Sequence, residues 1–465
     1  MNKPDALTLV IFGASGDLTR RKLMPALYLL YKAGRLPRRF AVLGMARTSY
    51  DDDRFRTSIR EGLLSFVRPD EVDEKAIHAF LSCLHYLSAD PSKPEAYAEL
   101  RIRLEEIDRT IDNPHNYLYY LATPPLLYGV IPRHLKAEGL NRDGDGFRRI
   151  VVEKPFGYDL SSALELNRIY LDAFREEQIY RIDHFLGKET VQNILALRFA
   201  NSVFEPLWNR NYIDYVEITA VENMGIGTRG GFYDGVGTLR DMVQNHLAQL
   251  LAVTAMEPPA AFDASGFRNE VVKVYQSLTP LTGEDIRHSV VRGQYMASEG
   301  RKGYREEEQV PTLSRTETYL AMRLELNNWR WGGVPFYIRT GKQMPTKVSE
   351  IVIHFKPAPY SLFRCEGGTC PVPNRLVIRI QPNEGIVLRL GMKKPGEGFE
   401  VLPMDMDFSY AELGRLPTED AYARLIEDCI AGDPTLFIRS DAVESGWRFF
   451  DPILKYWQDV PECPL

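Results

Sequence analysis

The sequence predicts an α/β domain on a parallel, doubly wound sheet, followed by an α+β domain with a large, mainly antiparallel sheet. Three observations predict it. The stretch "LTLVIFG" (7–13) is continuously apolar, as a strand buried on both faces must be. From there to about residue 155, strand-like and helix-like segments alternate, which is the rhythm of βαβ units. Beyond about residue 180 that rhythm is lost, and from 319 onward strand candidates follow one another, as antiparallel strands do.

In chain order, residues 20–33 carry a helical pattern and "FAVLGMA" (40–46) is a second strand. Helices are expected around 52–66, 72–83, 93–108 and 125–137, with strands at "NYLYYLAT" (116–123) and "RRIVVEKP" (148–155). "DYVEITAVE" (214–222) has strand character, and 238–254 reads as a helix. Strand candidates then fall at 319–326, 334–340, 349–357, 375–381 and 385–393, and a helix at 418–431 closes the chain. Repeats and low-complexity linkers are absent. The expected division is residues 1–178 and 179–465.

A chain of 465 residues can bury two sizeable cores, and 44% apolar with 26% charged residues is the balance of a soluble globular protein. The net charge of −6 argues against nucleic-acid or anionic-membrane partners, so an anionic ligand would need local cations. Of five cysteines, only Cys365 and Cys370 form a close pair, with no second pair to complete a zinc site. They read as reduced thiols, with a disulfide left open, and no metal site is expected. With neither a signal-peptide pattern nor a run of transmembrane length, the expected location is cytoplasmic.

"VIFGASGDLTRRKL" (10–23) is a strand, a glycine turn and a helix start. Gly13, Ala14, Ser15, Gly16, Asp17 and Leu18 would offer backbone amides to a pyrophosphate, as in a Rossmann-type dinucleotide-binding domain. The two glycines are three apart, unlike the usual GxGxxG, and a plain strand-to-helix connection is the competing reading. The second strand ends in "LGMARTSY", with Arg47 where an NAD site usually has a carboxylate for the ribose. A guanidinium there suits the 2′-phosphate of NADP; the plain alternative is a surface arginine.

"RIDHFLGKE" (181–189) crowds Arg181, Asp183, His184, Lys188 and Glu189 around Phe185. It is either a solvated, salt-bridged loop or a pocket for a charged ligand. In "GTLRDMVQNHLAQLLAV" (237–253), an α-helix would put Asp241, Asn245 and Ala248 on one face, with His246 about 100° around from Asn245. A histidine there is more often a capped or core residue than a base, and taken alone both readings stay open.

"GASGDLTRRKL", "EKPFG", "RIDHFLGKE", "GGFYDGVGTLRDMVQNHLAQLLA" and "YIRTGKQMPTK" resemble, in that order, the motifs of the glucose-6-phosphate dehydrogenase family. The resemblance implies oxidation of the C1 hydroxyl of glucose 6-phosphate with hydride passed to NADP. It implies His246 as the base and Asp183 as its carboxylate partner. His184 and Lys188 would anchor the phosphate, with Glu222, Asp241 and Lys342 on the sugar and Lys347 nearby. Lys154, before a proline that is cis in the family, would stand between cofactor and substrate, with Tyr128 as a further cofactor contact. The family's tyrosine between the phosphate anchors is Phe185 here, which removes one hydrogen-bond donor. A homodimer or homotetramer joined through the C-terminal sheet is also implied. Two other readings are carried forward: an oxidoreductase of the glucose–fructose type on an unphosphorylated sugar, and a non-catalytic NADP sensor.

Overall fold

The first apolar run forms β1 (Ala6–Phe12), in which every residue is buried. In this computed structural model, residues 3–360, 362–365, 374–396, 398–413, 420–460, 462, 463 and 465 are described. Next to β1 lie β2 (Arg39–Ala46) and, beyond it, β3 (Leu84–Ser88). On the other side come β4 (Tyr117–Leu121), β5 (Arg148–Val152) and β6 (Ile179–Arg181). The order is β3-β2-β1-β4-β5-β6 and every pairing is parallel. Strand order reverses between β1 and β4, and open sheets of this kind bind ligands at the carboxyl ends beside such a switch point.

The second sheet contains β7 (Ile213–Val221), β8 (Val290–Gly293), β9 (Tyr319–Glu325), β10 (Pro335–Gly341) and β11 (Val348–Phe355). It continues with β12 (Arg364–Cys365), β13 (Arg375–Gln381), β14 (Gly385–Lys393) and β15 (Glu400–Ser409). Among the described residues its order is β12-β15-β14-β13-β11-β7-β10-β9-β8. Pairing is antiparallel except for β7 with β10 and β12 with β15. Burial alternates along β9 and β13, so one face is core: Leu320, Met322, Ile338, Ile351 and Ile378 are nearly inaccessible. The opposite face leaves Val291 and Tyr337 exposed.

Three differences from the sequence reading have physical reasons. β3 and β6 were not expected: in β3 (LHYLS) His85 and Ser88 break the apolar run, and β6 has only three residues, too few for periodicity to register. The expected helix at 418–431 (observed Ala421–Ala431) is followed by a longer one, Ser440–Asp459, whose internal Pro452 disguises an otherwise helical spacing of Val443, Trp447, Phe450 and Leu454. The helices expected at 20–33 and 238–254 begin as π-helix, at Thr19–Leu23 and Leu239–Leu247, before turning α-helical.

The chain forms two compact units that interleave along the sequence. One comprises Met1–Lys188, Phe262–Arg268 and Glu419–Glu444; the other comprises Glu189–Ala261, Asn269–Thr418 and Ser445–Leu465. The first contains the parallel sheet and the second the larger one. Free thiols occur at Cys83, Cys429 and Cys463, whereas Cys370 and the side chain of Cys365 lie outside the described residues. Among the described residues, no helix is long and apolar enough to cross a membrane.

Candidate active site

In the first unit, the turn after β1 is built for glycine. Gly13 has φ +83°, and a Cβ there would sit 2.2 Å from the Ala122 carbonyl oxygen at the end of β4. The Gly13 amide donates to the Met45 carbonyl at 2.8 Å, and that of Gly16 to the Gly13 carbonyl at 2.9 Å. The turn therefore lies at the switch point, against the carboxyl ends of β2 and β4. Ala14 is buried, whereas Ser15 and Asp17 are exposed and Leu18 is half-buried. The Thr48 hydroxyl donates to the Ser15 hydroxyl at 2.8 Å, so the loop after β2 is tied to the glycine turn. Tyr86 and Ser88 of β3 hold that loop from beneath, donating to the Thr48 carbonyl at 2.9 and 3.2 Å. Arg47 projects from it, exposed. A tight glycine turn, a helix behind it and an exposed guanidinium beside it suit a dinucleotide.

β5 runs out into Glu153, Lys154 and a cis Lys154–Pro155 peptide. Tyr128 is 1% exposed, and its hydroxyl reaches the Lys154 carbonyl at 3.5 Å. The phenol is therefore placed against the main chain of the lysine. Glu153 is buried and accepts from the Tyr120 hydroxyl at 2.6 Å; burial raises its carboxyl above the ordinary range.

The charged stretch after β6 is a series of turns and not the start of a helix. Leu186 N donates to Asp183 O and Lys188 N to Phe185 O, each at 3.1 Å and each spanning three residues, before the helix Glu189–Phe199 begins. The Asp183 carboxylate is 1% exposed and accepts from the Phe185 amide at 2.9 Å. Phe185 lies between the two expected anchors, with the His184 ring 5.2 Å from its own and Lys188 Nζ 4.3 Å above its face. The ring fixes the ammonium by its quadrupole, a role the missing tyrosine hydroxyl does not affect.

Tyr422 was missed in the sequence. Its ring stacks 6.2 Å from His184 at 12°, and burial with the charges of Glu153, Asp420 and Asp183 raises its phenol. "EDAYARL" shows a capped helix start, confirmed by the Asp420 carboxylate accepting from Tyr422 N, but nothing in it signals His184.

In the second unit, the parallel pair β7 and β10 carries two functional groups out of the sheet together. Val221 is in register with Gly341, so Glu222 and Lys342 emerge side by side, with Glu222 N donating to Gly341 O at 2.9 Å. Lys342 Nζ lies 2.5 Å from Glu222 and 3.2 Å from Asp241, and above the Tyr233 ring. It is 6% exposed, a cation desolvated between two carboxylates. Asp241 and His246 both lie in the π-helical segment, where i→i+5 bonding turns residues five apart towards a common side, unlike the α spacing expected. His246 is 1% exposed. Lys347 is exposed in the loop between β10 and β11.

The glucose-6-phosphate dehydrogenase NAD-binding domain model matches residues 10–193, and the C-terminal domain model of the same family matches 195–464. A glucose-6-phosphate 1-dehydrogenase of Aggregatibacter actinomycetemcomitans is 52% identical over 98% of this chain and 91% of its own length. One from Treponema pallidum is 48% identical over 97% and 88%. A solved glucose-6-phosphate dehydrogenase in complex with its substrate glucose-6-phosphate superposes with a TM-score of 0.92 at 35% identity, covering 100% of this chain and 94% of that one.

Proposed function

Since the chain belongs to the glucose-6-phosphate dehydrogenase family, we propose that it oxidises the C1 hydroxyl of glucose 6-phosphate to 6-phosphogluconolactone, with NADP as acceptor. The observation that carries the substrate reading is the pair His184 and Lys188 flanking Phe185, a local donor site in a chain of net charge −6. An unphosphorylated sugar would have no use for it. Glucose 6-phosphate should therefore be oxidised with a kcat/KM at least ~10²-fold above that of glucose, as expected where a charged group is matched by half-buried donors. Comparable values for the two sugars would favour the glucose–fructose oxidoreductase reading, and tight NADP binding without turnover would favour the sensor.

In the proposed reaction, His246 takes the C1 hydroxyl proton as hydride departs, and Asp183 holds its tautomer and stabilises the imidazolium. Glu222 and Asp241 accept from sugar hydroxyls, with Lys342 orienting both carboxylates; an analogue lacking a hydroxyl would leave an acceptor unpaired. Lys347 adds positive charge near the phosphate. Bound NADP supplies the hydride acceptor. Gly13 to Leu18 cradle its pyrophosphate, Lys154 stands between it and the sugar, and Arg47 meets the 2′-phosphate. Arg47→Ala should raise the KM for NADP about tenfold or more while changing that for NAD little, since a charge-assisted bond to phosphate is worth about 1.5–3 kcal/mol. Equal effects on both cofactors would remove Arg47 from this role.

The protein is further read as a cytoplasmic homodimer or homotetramer assembled through its larger sheet. The exposed Val291 and Tyr337 on one face of it support that surface.

A further inference from the structure

The helix that bears Asp241 and His246 is started by a residue more than seventy positions away in the chain. The first amides of any helix lack partners within it. Thr238, in the N-cap position, does not cap with its own side chain. Its hydroxyl donates instead to the Glu317 carbonyl at 2.9 Å and meets the Tyr233 hydroxyl at 2.7 Å. The cap comes from Glu317, whose Oε1 accepts from Leu239 N at 2.9 Å, while Thr238 N donates to Glu317 O at 3.1 Å. Glu317 is 5% exposed. Gly237 (φ +73°) makes room for it, because a Cβ there would lie 2.6 Å from Oε1. The next residue completes the arrangement: the Thr318 carbonyl accepts from Lys342 N at 2.9 Å. One dipeptide thus holds both the helix start and the main chain of the lysine that faces Asp241.

We propose that Glu317 is a positioning residue for the active site: it holds Leu239–Leu247 in the π register and so sets where Asp241 and His246 stand relative to Lys342. A π-helix is the rarer winding, and α-helical bonding is open to the same residues as soon as an end is released. Rewinding by one residue per bond would rotate Asp241 away from Lys342 and His246 out of alignment. Arg240 and Arg292 supply positive charge near Glu317, but the cap itself needs only an acceptor oxygen.

This inference rests on the proposed roles of Asp241, His246 and Lys342, and its test separates the two. Full-length Glu317→Ala and Glu317→Gln are compared with the unmodified chain in steady-state kinetics on glucose 6-phosphate and NADP, and by hydrogen exchange over residues 239–247. Glu317→Ala should lower kcat about 10²-fold, the scale of an ångström-level misplacement, raise KM for glucose 6-phosphate, and accelerate exchange in that segment. Glu317→Gln, which keeps an acceptor for Leu239 N, should recover most of kcat and of the protection. The inference is overturned if Glu317→Ala melts earlier yet keeps the unmodified kcat and KM, or if Glu317→Gln is as impaired as Glu317→Ala. An unmodified chain without turnover would count against the proposed function instead, and the exchange comparison would still decide whether Glu317 holds the segment.

Discussion

His246→Asn should lower kcat by about 10²–10⁴-fold while leaving the KM for glucose 6-phosphate within a few-fold of its starting value. Asparagine keeps a polar side chain of nearly the reach of imidazole but cannot take up a proton at neutral pH. The loss therefore falls on the step in which the C1 hydroxyl gives up its proton, whereas the proposed sugar and phosphate contacts remain. Steady-state kinetics on both substrates measures the split. A variant with near-normal turnover would remove His246 as the base. A rise in KM matching the fall in kcat/KM would make it a binding residue only. The fold should tolerate the change, because the segment is anchored at both ends by other residues.

The second large effect concerns one of those anchors. Arg198 is fully buried and donates to the carbonyls of Val253, Thr254 and Met256 at 3.1, 3.0 and 2.7 Å, the unpaired end of the helix Ala248–Ala255. It also pairs with Glu205 at 3.2 Å and lies over the Phe199 and Trp208 rings. Burial pushes its guanidinium down to about 10, still charged at neutral pH. Arg198→Met would fill similar volume but strand the Val253 and Met256 carbonyls, each costing about 1–3 kcal/mol when unsatisfied, while the Thr254 carbonyl keeps the Trp208 indole N–H at 2.8 Å. Glu205 keeps Arg330 at 2.8 Å, so its charge is not left alone. A net loss of about 3–5 kcal/mol is expected, a large part of the roughly 5–15 kcal/mol that holds a domain folded. The midpoint of urea unfolding should fall accordingly. Breaking the exposed Arg60–Glu74 pair by Arg60→Met should shift it by less than about 1 kcal/mol. Equal shifts for the two variants would contradict the assignment of Arg198 as the clamp.

The parts of the fold that could be read in the sequence are those whose burial is uniform or strictly periodic. β1, β2, β4 and β5 carry near-continuous apolar runs because both of their faces are buried, and β9, β10 and β13 alternate because one face is core. β15 was passed over because Pro403 interrupts it. Pro403 stands opposite Gly391 in the ladder with β14, although a proline in a run argues against a strand when the sequence is read alone. In the site, residue types and motif order pointed to Lys154, Asp183, Glu222, Asp241, His246 and Lys342. The π winding could not be seen, since "LRDMVQNHL" has an apolar pattern that fits an α-helix equally well. The proposed selector, the cap from Glu317, comes from far along the chain and leaves no local mark. For the same reason Tyr422 beside His184 carried no local signal.

The parallel pairing of β7 and β10 limits how this protein can change in length. Their side-by-side exit keeps Glu222 opposite Lys342 only while both strands keep their residue count, because a one-residue insertion in either would turn the following side chain to the other face. The hundred or so residues between the two strands are under no such constraint from this pairing. Insertions and deletions accumulated by descent should therefore spare the two strands and collect in that intervening stretch.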